Sequence, residues 1–135
     1  MRAVVQRVSE AAVTVEGEAV ARIGAGLLVL LAVARGDTVE QADRMADKLR
    51  KLRIFEGDRS VGQAAGEILC VSQFTLLADT RKGNRPSYAQ AAPSAQAEPL
   101  YERVRRALSA QGGAFGARME VFLVNDGPVT VIVNT

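Results

Sequence analysis

The chain has no histidine and no tryptophan, a single cysteine, and only four Phe and two Tyr among its 135 residues. Without an imidazole, Ser-His-Asp and Cys-His catalysis are both excluded, and zinc loses its usual nitrogen ligand. Any hydrolysis must therefore work another way. Cys70 has no partner for an internal disulfide, and its setting in Ile68-Leu69-Cys70-Val71 reads as core packing rather than as a nucleophile. Long apolar runs are also missing. The longest, residues 27–34, is far too short to span a bilayer, and Met1 leads into Arg-Ala-Val-Val-Gln-Arg-Val with no stretch of signal-peptide form. A cytoplasmic location and no membrane partner are the expectation. Carboxylates are scattered, and no Gly-rich phosphate loop is present, so neither a metal nor another cofactor is expected.

What is there is an ordinary globular balance, 48% hydrophobic and 24% charged, with a net charge of +2 that does not by itself imply nucleic acid. The length fits one domain over residues 1–135. Alternation over the first fifteen residues predicts a strand, Glu16-Gly17-Glu18 a turn, and residues 27–33 a central strand buried on both faces. Asp37 or Thr38 caps a helix whose apolar stripe is Val39, Ala42, Met45, Ala46, Leu49 and Leu52. Residues 67–77 read as a further strand. A second helix over 94–110 places Leu100, Val104, Ala107 and Leu108 on one face, with Pro99 weakening its first turns. Residues 119–124 and 129–133 read as two strands joined through Asn-Asp-Gly-Pro in a hairpin or tight turn. The resulting expectation is an α+β fold, a mixed sheet or small barrel of about six strands flanked by two main helices.

Three features carry candidate chemistry. Ser72, Gln73 and Thr75 put polar groups inside an otherwise apolar strand, where they need partners or an open cavity. A satisfied cross-strand network is the ordinary reading of Ser72 or Gln73 alone, and Thr75 lacks any histidine to activate it as a nucleophile. Gly127-Pro128 marks a turn in many proteins, yet an X-Pro bond tolerates the cis form and glycine lets backbone approach a ligand closely. Arg81, Lys82 and Arg85, with Tyr88 just beyond, gather charge on a loop that can hold phosphates, to which Arg50, Lys51 and Arg53 can add.

Ser72-Gln73-Phe74-Thr75-Leu76 and Asn125-Asp126-Gly127-Pro128-Val129-Thr130 together resemble the paired signatures of the D-aminoacyl-tRNA deacylase family. The likeness extends to Arg2-Ala3-Val4-Val5-Gln6-Arg7-Val8, Arg53-Ile54-Phe55 and Ala78-Asp79-Thr80-Arg81-Lys82-Gly83, nearly the whole chain. It implies hydrolysis of the ester joining a D-amino acid, or glycine, to the 3′ end of tRNA, assisted by the 2′-hydroxyl of the terminal ribose. It implies Ser72, Gln73, Phe74 and Thr75 as the pocket floor. Gly127 and Pro128, through a cis bond, become a chiral filter that reaches into the partner's site in a homodimer and excludes L-amino acids by backbone. Arg7, Phe115 and Met119 are placed near the pocket by the same resemblance, with Arg81, Lys82 and Arg85 toward the tRNA. Two departures stand out: the segment after Phe55 and the one before Phe115 are both shorter than in the family, and either, if it lines the adenosine pocket, bears on affinity or tRNA preference. The alternative from another class is a non-catalytic RNA-binding module using the 81–85 loop for phosphates and the sheet for a base.

Overall fold

The computed structural model describes residues 1–135. β1 (Arg2–Val15) is the spine. It pairs antiparallel with β2 (Glu18–Ile23), β3 (Gly26–Ala32) and β6 (Glu120–Asn134). β3 continues the sheet in parallel with β4 (Glu67–Ser72), and β4 pairs in parallel with the two-residue β5 (Gln111–Gly112). The sheet is thus mixed and six-stranded, as expected. It nearly closes into a barrel, because the Gln111 side chain stands in for a strand between β5 and β2. Its Nε2 donates to the Arg22 carbonyl at 2.9 Å and its Oε1 accepts from the Arg22 amide at 3.1 Å.

Period-two alternation divides the sheet between two cores. Leu27, Val29 and Leu31 of β3 and Ile68 and Cys70 of β4 face the helices, whereas Leu28, Leu69 and Val71 face a smaller cluster with Val8, Val13 and Ile23. This explains why residues 27–33 show no polar face. The parallel β3–β4 pair starts where backbone crowds backbone, since a Cβ on Gly26 would fall 1.8 Å from the Glu67 carbonyl oxygen. Only glycine fits there.

The helix layer is α1 (Val39–Lys51) and α2 (Ser94–Ala107). Thr38 caps α1, its amide donating to Gln41 Oε1 at 2.8 Å, and Ala42, Met45, Ala46 and Leu49 are buried as the stripe predicts. Val39 is not: it sits in the first turn, where the helix has yet to reach the core, and is 46% exposed. α2 buries Ala97, Leu100, Tyr101 and Val104, with Leu108 buried just beyond it, while Ala107, at the edge of that face in the last turn, is exposed, a correction to the expected stripe. Pro99 is accommodated near the amino end, where it forfeits one helical hydrogen bond. Arg103 clamps α2 to Asp43 of α1 at 2.7 Å and holds that carboxyl below its usual range.

Two expected elements take another form. The strand over 67–77 stops at Ser72, where its partner β3 also runs out, and residues Phe74–Leu77 wind into a 3₁₀ turn closed by Leu76 N–H to the Gln73 carbonyl. The two strands expected over 119–133 are one, β6, because both halves pair with the same long β1, from Thr14↔Glu120 to Arg2↔Asn134. Asn-Asp-Gly-Pro is therefore a bulge within a strand rather than a hairpin.

Cys70 is fully buried, and desolvation pushes its thiol up to about 12. The Tyr101 hydroxyl donates to the Cys70 carbonyl at 2.6 Å and seals the site from above. We expect the thiol to resist iodoacetamide at pH 8 in the folded protein, with labelling slowed at least about a hundredfold relative to urea-unfolded chain. Comparable rates in the two states, read by mass spectrometry, would contradict the assignment of Cys70 to the core.

Candidate active site at the end of β4

Where β4 gives way to the 3₁₀ turn, the carboxyl end of the parallel pair opens into a cleft of about 480 Å³. Ser72, Gln73 and Phe74 form one wall, Ala92, Ser94 and Ala97 of the α2 amino end another, and Phe115 to Met119 the third. Nine of its fourteen lining residues are hydrophobic, and none is Asp, Glu, Lys or Cys. Such a cavity suits a small, largely apolar group carried on a polar handle. The amino end of α2 adds the positive end of a helix dipole to the same space.

The corner is built by its own hydrogen bonds. The Gln73 amide nitrogen donates to the Leu31 carbonyl at 2.8 Å, which fixes the backbone as it leaves the sheet. Its side-chain amide donates to Thr75 Oγ1. Thr75 does not line the cleft, in contrast to the other three members of the motif. An amide donor cannot take a proton from a hydroxyl, so nothing here activates Thr75. Phe74 is 53% exposed and meets Tyr88 edge to face, with centroids 5.3 Å apart.

Gly127 and Pro128 lie elsewhere on the same chain. Between the pairs Gln6↔Thr130 and Val8↔Asn125, the one residue Arg7 of β1 faces the four residues from Asp126 to Val129, so β6 bulges outward and exposes the cis Gly127–Pro128 bond. Arg7 holds the bulge from below. Its Nε donates to the Asp126 carbonyl at 3.1 Å and its Nη1 to the Ile54 carbonyl at 2.8 Å, with an ion pair to the Asp126 carboxylate at 3.2 Å. Asn125 ties the other side, its Nδ2 donating to the carbonyls of Arg7 and Val129. Neither Gly127, Pro128 nor Arg7 lines the cleft that contains Ser72.

The basic loop is a short bridge closed by reciprocal Asp79 and Ser87 backbone bonds, with Gly83 at φ +62° near its tip. Arg81 forks onto Asp79 at 2.7 Å and holds that half-buried carboxyl down to about 2, so its own charge is compensated. Lys82 and Arg85 remain exposed without an ion pair within the chain. Of the other cations, Lys51 pairs with Asp47 and Arg53 with Asp58. Ser94, Ala97 and Arg118 are among the nine lining residues that carried no signal of the site in the linear sequence. Only the folding of residues 113–119 brings Arg118 to the cleft that Ser72 also lines.

A family model described as D-Tyr-tRNA(Tyr) deacylase matches residues 4–134. A D-aminoacyl-tRNA deacylase of Desulfitobacterium hafniense is 52% identical, with 100% of this chain and 97% of that protein covered. One of Paracoccus denitrificans is 52% identical over 97% of this chain and 95% of its own length. The alignment with the first runs over 145 positions against 135 residues here, in keeping with the shorter segments. Among solved structures, one named c-Myc DNA Unwinding Element Binding Protein superposes with a TM-score of 0.95 at 42% identity, covering 100% of this chain and 99% of that one. Another, described as a probable eukaryotic D-amino acid tRNA deacylase, gives 0.85 at 20% identity over 98% and 97%, and shares the fold.

Proposed function

The chain belongs to the D-Tyr-tRNA(Tyr) deacylase family, and from that premise we propose that the cleft beside Ser72 takes the 3′ end of a D-aminoacyl-tRNA and hydrolyses its ester. The observation that carries the mechanism is the absence of any base in that cleft: no carboxylate, imidazole or amine lines it. The 2′-hydroxyl neighbouring the ester supplies the missing proton relay. Water adds to the acyl carbon, the bond to the 3′ oxygen breaks with a proton passing to that oxygen, and free D-amino acid and tRNA leave. Ser72, Gln73 and Phe74 position the acyl-adenosine, and the α2 amino end favours negative charge developing on the acyl oxygen. The protein works as a cytoplasmic editing enzyme.

Gly127 and Pro128 act in trans as the chiral filter, in a homodimer. Supporting this, β6 pairs on one side only and carries Phe122 at 53%, Val124 at 49% and Ile132 at 65% exposure along 15 residues. A long, free, apolar edge of this kind is ordinarily covered. The Gly-Pro bulge projects from that same strand. Lys82 and Arg85 follow the acceptor end outside the cleft.

Hydrolysis of D-tyrosyl-tRNA against L-tyrosyl-tRNA, each with and without EDTA, tests the reading. We expect at least about a hundredfold preference for the D ester, with chelator leaving it unchanged since no three His, Cys, Asp or Glu side chains come together to hold a metal. Tight tRNA binding without turnover would instead support a non-catalytic RNA-binding module.

A further inference from the structure

We propose that Arg118 is the phosphate anchor of the cleft, gripping the phosphodiester on the 5′ side of the substrate's terminal adenosine; the inference rests on the deacylase reading above. Arg118 is the one charged side chain among the fourteen that line the cleft. It makes no hydrogen bond and no ion pair within the protein, unlike Arg7, Arg81, Arg103 and Arg105, each of which forks onto a carboxylate or carbonyl. It is exposed, on the ridge between the cleft and a neighbouring hollow formed by Thr14, Val15, Glu16, Ala117, Met119 and Glu120. Glu16 and Glu120 line that hollow without approaching within ion-pair distance of it. A guanidinium with five unused donors therefore stands at the mouth of a cavity whose other walls are neutral.

Charge decides what it meets. At the pH of the reaction the aminoacyl end of the substrate is cationic through its α-ammonium, and the ribose and adenine are neutral. The anion nearest the ester is the phosphodiester of the terminal nucleotide. Arg118 attracts that group and repels the ammonium, so a single side chain orients the substrate. The phosphate is drawn to the Phe115 to Met119 wall, and the amino group is driven away from it. A planar guanidinium suits two phosphate oxygens at once, a geometry that lysine does not reproduce. The basic loop does not serve in its place: Arg81 is committed to Asp79 and borders a separate depression with Arg2, Leu77 and Gln90, and neither Lys82 nor Arg85 lines the cleft.

The test compares two small esters, D-tyrosyl-adenosine and its 5′-phosphorylated form, alongside D-tyrosyl-tRNA. Wild-type protein is expected to favour the phosphorylated ester by about tenfold or more in kcat/KM, mainly through KM. Arg118→Gln should bring that ratio close to one, Arg118→Lys should restore part of it, and melting temperature should stay put. With D-tyrosyl-tRNA, the slope of log kcat/KM against log salt should fall by about one in Arg118→Gln, as expected for one lost phosphate contact. A ratio and a salt slope that Arg118→Gln leaves untouched, in protein that cleaves D-tyrosyl-tRNA, overturn the anchor while the deacylase reading stands. Failure of wild-type protein to cleave D-tyrosyl-tRNA at all overturns the reading beneath it.

Discussion

D-tyrosyl-tRNA ending in 2′-deoxyadenosine should be hydrolysed at least about a hundredfold more slowly than the ribose form, while Thr75→Ala stays within about tenfold of wild type. The contrast follows from what surrounds each hydroxyl. Thr75 Oγ1 accepts from the Gln73 side-chain amide and faces no base, so removing it costs a hydrogen bond of about 1 kcal/mol and some rigidity at the corner. The 2′-hydroxyl is the group vicinal to the ester, and the cleft walls hold no carboxylate, imidazole or amine to replace it as a base. Losing a positioned proton relay typically costs two to four powers of ten. Single-turnover hydrolysis of both substrates by both proteins reads the result. A Thr75→Ala protein that is inactive on the ribose substrate yet folded, or an acyl group trapped on Thr75, would make threonine the nucleophile and reverse the assignment.

Complementation between two disabled chains should restore activity. A chain carrying Gln73→Ala and Phe74→Ala loses its cleft wall, and one carrying Gly127→Val loses the smooth face of its bulge. A Cβ on Gly127 falls 2.7 Å from Asn125 Oδ1, which must rotate and release the carbonyls of Arg7 and Val129. If each site combines the cleft of one chain with the bulge of the other, every heterodimer holds one intact site of two. Random pairing on co-expression then regains about a quarter of wild-type sites from two nearly inactive parents. Measured D-tyrosyl-tRNA turnover that stays at the parental level, with heterodimer present by native mass spectrometry, would place cleft and bulge in the same chain's site or remove the bulge from catalysis. Monomeric protein retaining full activity would refute the shared site directly.

Much of this arrangement was legible in the linear chain, and the places where it was not share a cause. The doubly apolar run of β3, the Thr38 cap and the stripe of α1 follow from local rules, since periodicity and capping act over a few residues. The end of β4 does not, because a strand stops where its neighbour does, and β3 is forty residues away in sequence. The same holds for β6. Asn-Asp-Gly-Pro has the chemistry of a turn, but the length of β1 lets both flanking segments pair along one partner, and the glycine-proline pair is displaced sideways instead of reversing the chain. Ala107 illustrates a smaller version, where the expected face holds at Leu100, Val104 and Leu108 but its edge at the last turn is exposed and Tyr101, whose hydroxyl reaches the Cys70 carbonyl, joins the core instead.

By itself the sequence determined the chemistry that is available: no histidine, one cysteine kept inert by apolar neighbours, and polar side chains concentrated at Ser72, Gln73 and Thr75. These are properties of residue types and near neighbours, which no folding can alter. Only the tertiary structure decided how that chemistry is distributed in space. It tied Thr75 to the Gln73 side chain outside the cleft lining, separated Gly127 and Pro128 from the cleft of their own chain, and drew Arg118 to the cleft that holds Ser72. Each of those outcomes depends on pairing and packing between segments far apart in the chain, whose energies arise from burial and backbone hydrogen bonding and leave no trace in local pattern.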